Sequence, residues 1–129
     1  MQYAEAFAAF GYSLISVRND WTAEKPDGVC ITIWKRELDW KTMSMDSRTH
    51  GGPIESWGHK PGNKRRIEHA ARALREFDGW VDAILISGKP GASYEDAQPW
   101  IPSQKDGMWW RVVCLDEVTG HIRLQTQIR

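Results

Sequence analysis

The chain predicts an α+β domain: a curved antiparallel sheet or incomplete barrel of five to six strands packed on one long helix, with a short N-terminal helix. Three observations carry this. Near the middle, Ile67, Ala70, Ala71, Leu74 and Phe77 recur at helical spacing and make one apolar stripe. Two apolar runs rich in β-branched residues, 29–34 and 81–86, flank that segment and read as strands. At the C-terminus, Met108, Trp110, Val112 and Cys114 alternate with Trp109, Arg111, Val113 and Leu115, and Thr119-Gly120 turns the chain into Ile122, Leu124, Thr126 and Ile128. That alternation describes a hairpin with one face buried.

The remaining elements follow in order. Tyr3, Phe7 and Phe10 fall at i, i+4 and i+7, and Gly11 stops the turn, which predicts a short helix. Residues 12–17 read as a strand, followed by a polar connection, 19–25, that carries Trp21. Asp27-Gly28 marks a tight turn before the apolar run. Residues 37–45 alternate weakly and suggest a further strand. Residues 46–62 form the longest irregular stretch, and loops of that length in compact domains usually carry function. Asn63 is placed to cap the long helix and Gly79 to end it. A second loop, 88–107, holds Pro99, Trp100 and Pro102.

At 129 residues the chain predicts a single domain spanning 1–129. Lys plus Arg equals Asp plus Glu at 17 each, so no general attraction to polyanions follows from net charge. Charge is instead local. Residues 60–76 hold Lys60, Lys64, Arg65, Arg66, Arg72 and Arg75 against Glu68 and Glu76, whereas 95–117 are dominated by acidic side chains. Cys30 and Cys114 lie in separate apolar runs and read as buried free thiols. No stretch approaches the roughly 18 apolar residues of a membrane span, and no secretory signal is visible. A cytoplasmic protein of a bacterium or phage, with no membrane partner, is expected.

The chemistry-bearing motifs are few. Pro26-Asp27 followed by Asp39-Trp40-Lys41 matches the letter of a metal-dependent nuclease pattern, in which two carboxylates hold the ion and a lysine assists the water. Asp27-Gly28 is better explained as a turn. His50, His59, His69 and His121 lack zinc-like spacing, and neither cysteine has a neighbouring histidine. Ser87-Gly88 lacks the context of an activated serine. The expectation is no catalytic residue, no metal and no cofactor.

The basic turn is the strongest signal. Lys64, Arg65 and Arg66 sit at a predicted helix start, where cations are disfavoured by about 0.3–1 kcal/mol each and an anion would be welcomed by free N–H groups. Lys60, Asn63, Lys64, Arg65 and Arg66, with Arg18 from the preceding strand, are therefore the expected nucleic-acid-binding set. Of the eight tryptophans, Trp34, Trp80 and Trp110 lie in or beside apolar runs and are expected in the core, while Trp21, Trp57 and Trp100 lie in loops, where they can stack on a base.

The segment Arg18…Trp21, the Asp27-Gly28 turn and a strand ending at Trp34 resemble an uncharacterised bacterial Trp-rich family. Its members carry an Arg/Trp segment, a D-G turn and a strand ending in Trp, and occur alone or beside HNH-type nucleases. The resemblance implies a reader module in restriction or mobile-element biology. In outline the curved sheet with Trp-bearing loops also resembles PUA-like modified-base readers. The expected function is a non-enzymatic nucleic-acid-binding module, possible ligands including a modified base or a single strand. The alternative is a small phage or mobile-element protein that binds and inhibits a host defence protein complex, using loop tryptophans and arginines as interface anchors.

Overall fold

The structure is a computed structural model and describes residues 1–17, 19–49, 54–88, 94–102 and 107–129. Helix α1 (Tyr3–Ala9) leads into strands β1 (Thr22–Lys25) and β2 (Gly28–Trp34). A 3-10 turn (Lys35–Glu37), β3 (Leu38–Asp39), β4 (Ser44–Asp46), a second 3-10 turn (Ser47–Thr49) and α2 (Ile54–Trp57) follow. The long helix α3 (Pro61–Glu76) precedes β5 (Trp80–Gly88), β6 (Tyr94–Pro99), β7 (Met108–Leu115) and β8 (Ile122–Ile128).

The α+β class holds, but the sheet is mixed and has eight strands among the described residues, in the order β1-β2-β5-β7-β8-β4-β3 with β6 beside β5. It does not close. The β2–β5 pair is parallel, from Cys30↔Asp82 to Trp34↔Ile86, because the chain between them crosses over through α3. A parallel pair covered on both faces should be almost wholly apolar, and β2 is: Val29 to Ile33 are all buried, and the one polar side chain among them, Thr32, donates its hydroxyl to Trp21 O at 2.8 Å. Val29, Ile31 and Ile33 face α3, where Ala70 and Ala73 meet Trp110, Val112, Ile122 and Leu124. Cys30, Ile84 and Ile86 face α1, against Tyr3, Phe7 and Tyr12.

Strand β5 forks the sheet. Its first residues pair with β7 (Trp80↔Arg111, Val81↔Trp110), and its later ones pair with β6 (Ile84↔Pro99 onward). Between them, Ala83 O accepts Trp100 N at 2.9 Å.

Several expectations are corrected. Residues 12–17 form no strand, because the Asp20 carboxylate accepts Ile15 N (2.9 Å) and Ser16 N (2.8 Å) and gives that backbone a local alternative to a ladder. The polar 22–25 segment is instead β1. The hairpin turn is Pro26-Asp27, and Gly28 already pairs with Lys25. Its missing side chain admits Tyr12, whose hydroxyl would lie 2.4 Å from a Cβ. Residues 37–45 are two short strands joined by a turn that Asp39 Oδ1 caps through Lys41 N (2.9 Å). The stretches 46–62 and 88–107 are not wholly irregular, since they contain α2 and β6. Cys30 is buried as expected, but a register shift between Val112 and Cys114 turns Cys114 outward.

Helix α3 begins at Pro61 with Lys60 as its N-cap, so Asn63 is its third residue rather than its cap. It ends as expected at Gly79, whose φ is +86° and whose N–H reaches Ala73 O at 2.8 Å. Its buried face is Gly62, Asn63, Arg66, His69, Ala70 and Ala73, and Leu74 from the expected apolar stripe is 43% exposed. The helix thus buries polar groups, and those groups decide the fate of the expected site.

Candidate nucleic-acid interface

The first turn of α3 is packed rather than open. A Cβ on Gly62 would stand 2.4 Å from Trp21 Nε1 and 2.5 Å from Asn19 O, so the Asn19–Trp21 backbone covers the helix start where an anion was expected. Asn63 is buried and donates its amide to Gly58 O (2.9 Å) and Thr119 O (3.0 Å). It ties the helix to α2 and to the β7–β8 turn. Gly120 in that turn has φ +87°, and a Cβ there would lie 2.1 Å from Asn63 Oδ1.

Arg66 is only 6% exposed. Its guanidinium lies 5.0 Å from the Trp21 ring and 5.7 Å from the Trp57 ring, and Nη2 donates to Asn63 Oδ1 (3.3 Å) and Gly120 O (3.2 Å). Burial pulls its pKa down to about 10, against the pull of the Glu37 carboxylate. A cation so enclosed is a packing element and cannot reach a phosphate without unfolding its surroundings. Arg65 bonds the buried Asp20 carboxylate at 2.5 Å with its side chain 30% exposed. Lys60 and Lys64 alone of the described basic set are exposed and carry no ion pair among the described residues. Arg18 lies outside the described residues.

The three loop tryptophans are placed by packing too. Trp57 is buried, with its ring 6.4 Å from Trp21 and 5.4 Å from His121. Trp100 is half-buried between Trp110 (5.5 Å) and the exposed Trp40 (5.7 Å). Of the tryptophans expected in the core, Trp110 is there, whereas Trp34 and Trp80 are half-buried.

The histidines do not converge. His50 lies outside the described residues, His59 is exposed, and His69 is buried with Nδ1 2.6 Å from Thr22 Oγ1. Burial lowers the His69 pKa, the Glu24 carboxylate opposing it more weakly. Asp27 is exposed in its turn, and the Asp39 carboxyl is held below its ordinary pKa first by the Lys41 N–H and then by that of Thr42. No cluster of three metal-ligating side chains occurs among the described residues.

A different surface gathers cations and flat rings. On the side of β5, β7 and β8 turned away from α3, the register sets Trp80 opposite Arg111, Arg111 opposite Gln125 and Trp109 opposite Gln127. Arg111 lies 5.2 Å from the Trp80 ring, and Arg129 lies 5.4 Å from Trp80 and 5.8 Å from Trp109. The result is a ladder, Arg111–Trp80–Arg129–Trp109. Arg111 is held by Asp78 (2.8 Å) and by Gln127 Oε1 (3.1 Å). Arg129 is exposed, and no ion pair binds it among the described residues. Exposed Arg123 extends the face along β8, where it stands opposite Asp46 of β4.

Sequence reasoning singles out none of Trp109, Arg111 and Arg129 as site residues. The signal was present in the alternation itself, which sends Trp109 and Arg111 the same way. The approach of Trp80 and Arg129 had no local sign. Comparison with protein-family models, with curated proteins and with solved structures returned no match.

Proposed function

We propose that this chain is a non-enzymatic nucleic-acid-binding module and that the Arg–Trp ladder, rather than the start of α3, is its contact surface. One observation carries the reading: guanidinium groups lie over indole rings, 5.2–5.8 Å from their centroids, on the sheet face turned away from α3. The Arg129 guanidinium carries no ion pair among the described residues and can offer its N–H fork to phosphate oxygens, whereas Arg111, whose three nitrogens reach Asp78 O, Asp78 Oδ1 and Gln127 Oε1, would exchange the exposed Asp78 carboxylate for a phosphate. Each cation–π contact is worth about 0.5–1 kcal/mol at exposed sites, so the arginines are oriented before a ligand arrives. Lys60 and Lys64 would add unspecific attraction at most. The resemblance to Trp-rich modules found beside nucleases is in keeping with a reader role.

The test compares two double variants. Arg111→Gln with Arg129→Gln should weaken binding to single-stranded DNA and RNA and flatten its salt dependence, while Lys60→Gln with Lys64→Gln should change both less. The reverse order would return the contact surface to α3.

A second reading, docking on a host protein complex, has its own observation. Ile15 is 81% and Val17 56% exposed on the loop that Asp20 holds in place. Ile15→Ser with Val17→Ser should leave nucleic-acid binding unchanged; loss of a co-purifying protein in that variant would favour the docking reading.

A further inference from the structure

The turn that follows α3 is built against Arg111. Asp78 and Gly79 both lie in the left-handed region, at φ +54° and +86°. A Cβ on Gly79 would stand 3.1 Å from Arg111 Cγ and 3.4 Å from its Nε, so the bare glycine lets the arginine lie across the turn. From there Arg111 Nε donates to Asp78 O at 2.6 Å, and Nη2 meets Asp78 Oδ1 at 2.8 Å. Arg111 therefore already holds an anion, and that anion is weakly held. The Asp78 side chain is 78% exposed, and water competes for both partners of such a pair. Glycine takes a positive φ freely, whereas a residue with a side chain is strained there. An exposed aspartate at such a position, with its charge directed at the ladder's own arginine, has a reason other than packing.

We propose that Asp78 is an internal competitor for the phosphate site: its carboxylate occupies Arg111 until a phosphodiester strand displaces it. The inference rests on the nucleic-acid reading above. A strand meets Arg129 first, because that guanidinium is exposed and carries no ion pair among the described residues. Both guanidiniums lie over the Trp80 ring, so a strand held by Arg129 presents a neighbouring phosphate to Arg111 at high effective concentration. The Nε bond to Asp78 O and the Nη1 bond to Gln127 Oε1 survive the exchange. Arg111 thus stays oriented while Nη2 changes partner. The cost of displacing the carboxylate is subtracted from the affinity for every strand.

The test is a gain of binding. Asp78→Asn removes the charge and keeps the shape, in a residue type that tolerates a positive φ, and Asp78→Gly removes the side chain altogether. The probe is oligothymidine of about 12 nucleotides, within the span of a single-strand-binding fold. Its affinity is measured at low salt for the native protein, for each variant, and for the same two substitutions in Arg111→Gln protein. Both variants should bind about two- to fivefold more tightly than the native protein, in line with the loss of one exposed ion pair. In the Arg111→Gln background that gain should be largely lost, because the carboxylate then has no guanidinium to occupy. An equal gain in both backgrounds would overturn the inference, since a general loss of negative charge would account for it. Unchanged or weaker binding by both folded variants, with Arg111→Gln still weakening the native protein, would make the Asp78 contact a structural tie and leave the ladder standing. Binding of the strand by no form of the protein would overturn both.

Discussion

Replacing Arg66 by methionine separates a packing arginine from a phosphate ligand. Methionine keeps the apolar stem between Trp21 and Trp57 but removes the donors that reach Asn63 Oδ1 and Gly120 O. Each buried acceptor left unpaired costs about 1–3 kcal/mol. Part of this is offset, because the charge that burial disfavours, with a pKa drawn down to about 10, is gone as well. The net loss is about 2–4 kcal/mol, which at about 4 °C per kcal/mol for a domain of this size lowers Tm by roughly 8–16 °C. Thermal unfolding followed by tryptophan fluorescence reads it directly, since two of the rings concerned flank the substituted side chain. Below its own Tm the variant should keep its nucleic-acid affinity. A variant with unchanged Tm and lost affinity would refute the reasoning and make Arg66 a ligand contact.

Three further outcomes are expected. Gly62→Ala should destabilise the protein although alanine is favoured over glycine in a helix by about 1 kcal/mol, because its Cβ meets Trp21 Nε1 at 2.4 Å and Asn19 O at 2.5 Å; a raised Tm would show that the helix start is open. His69, whose pKa burial lowers, binds fewer protons folded than unfolded, so its contribution is full above about pH 6.5 and is lost as pH falls through its folded value. Denaturant titrations of native and His69→Gln protein from neutral to mildly acidic pH should show the steeper decline in the native chain, and parallel curves would refute it. Exposed Cys114 should react promptly with a thiol reagent and buried Cys30 only on unfolding, so two equivalents reacting at once in native buffer would contradict the assigned burial.

The parts of the fold legible from sequence were those with a sustained period. Helices α1 and α3, strands β2 and β5, and the β7–β8 hairpin all repeat an apolar position often enough to announce themselves. Strand β1, with the sequence Thr-Ala-Glu-Lys, has no such pattern and exists because β2 offers it a ladder. Residues 12–17 carry strand-forming side chains, yet Asp20, several positions away, takes their N–H groups. The site followed the same division. Lys64, Arg65 and Arg66 are adjacent in sequence, but one is exposed, one pairs with Asp20 and one is enclosed by the rings of Trp21, just before β1, and Trp57, at the end of α2. Adjacent charges therefore did not make a shared surface. Trp80, Trp109, Arg111 and Arg129 are scattered in sequence and meet only through the strand register.

The central claim, that the Arg–Trp ladder holds nucleic-acid phosphates, is tested most directly by titrating a short single strand into native protein and into the Arg111→Gln, Arg129→Gln variant across a salt series. The account predicts that log affinity falls linearly with log salt, and that the variant's slope is shallower by about 1.4, or roughly 0.7 for each lost phosphate contact. Equal affinities and equal slopes would contradict it.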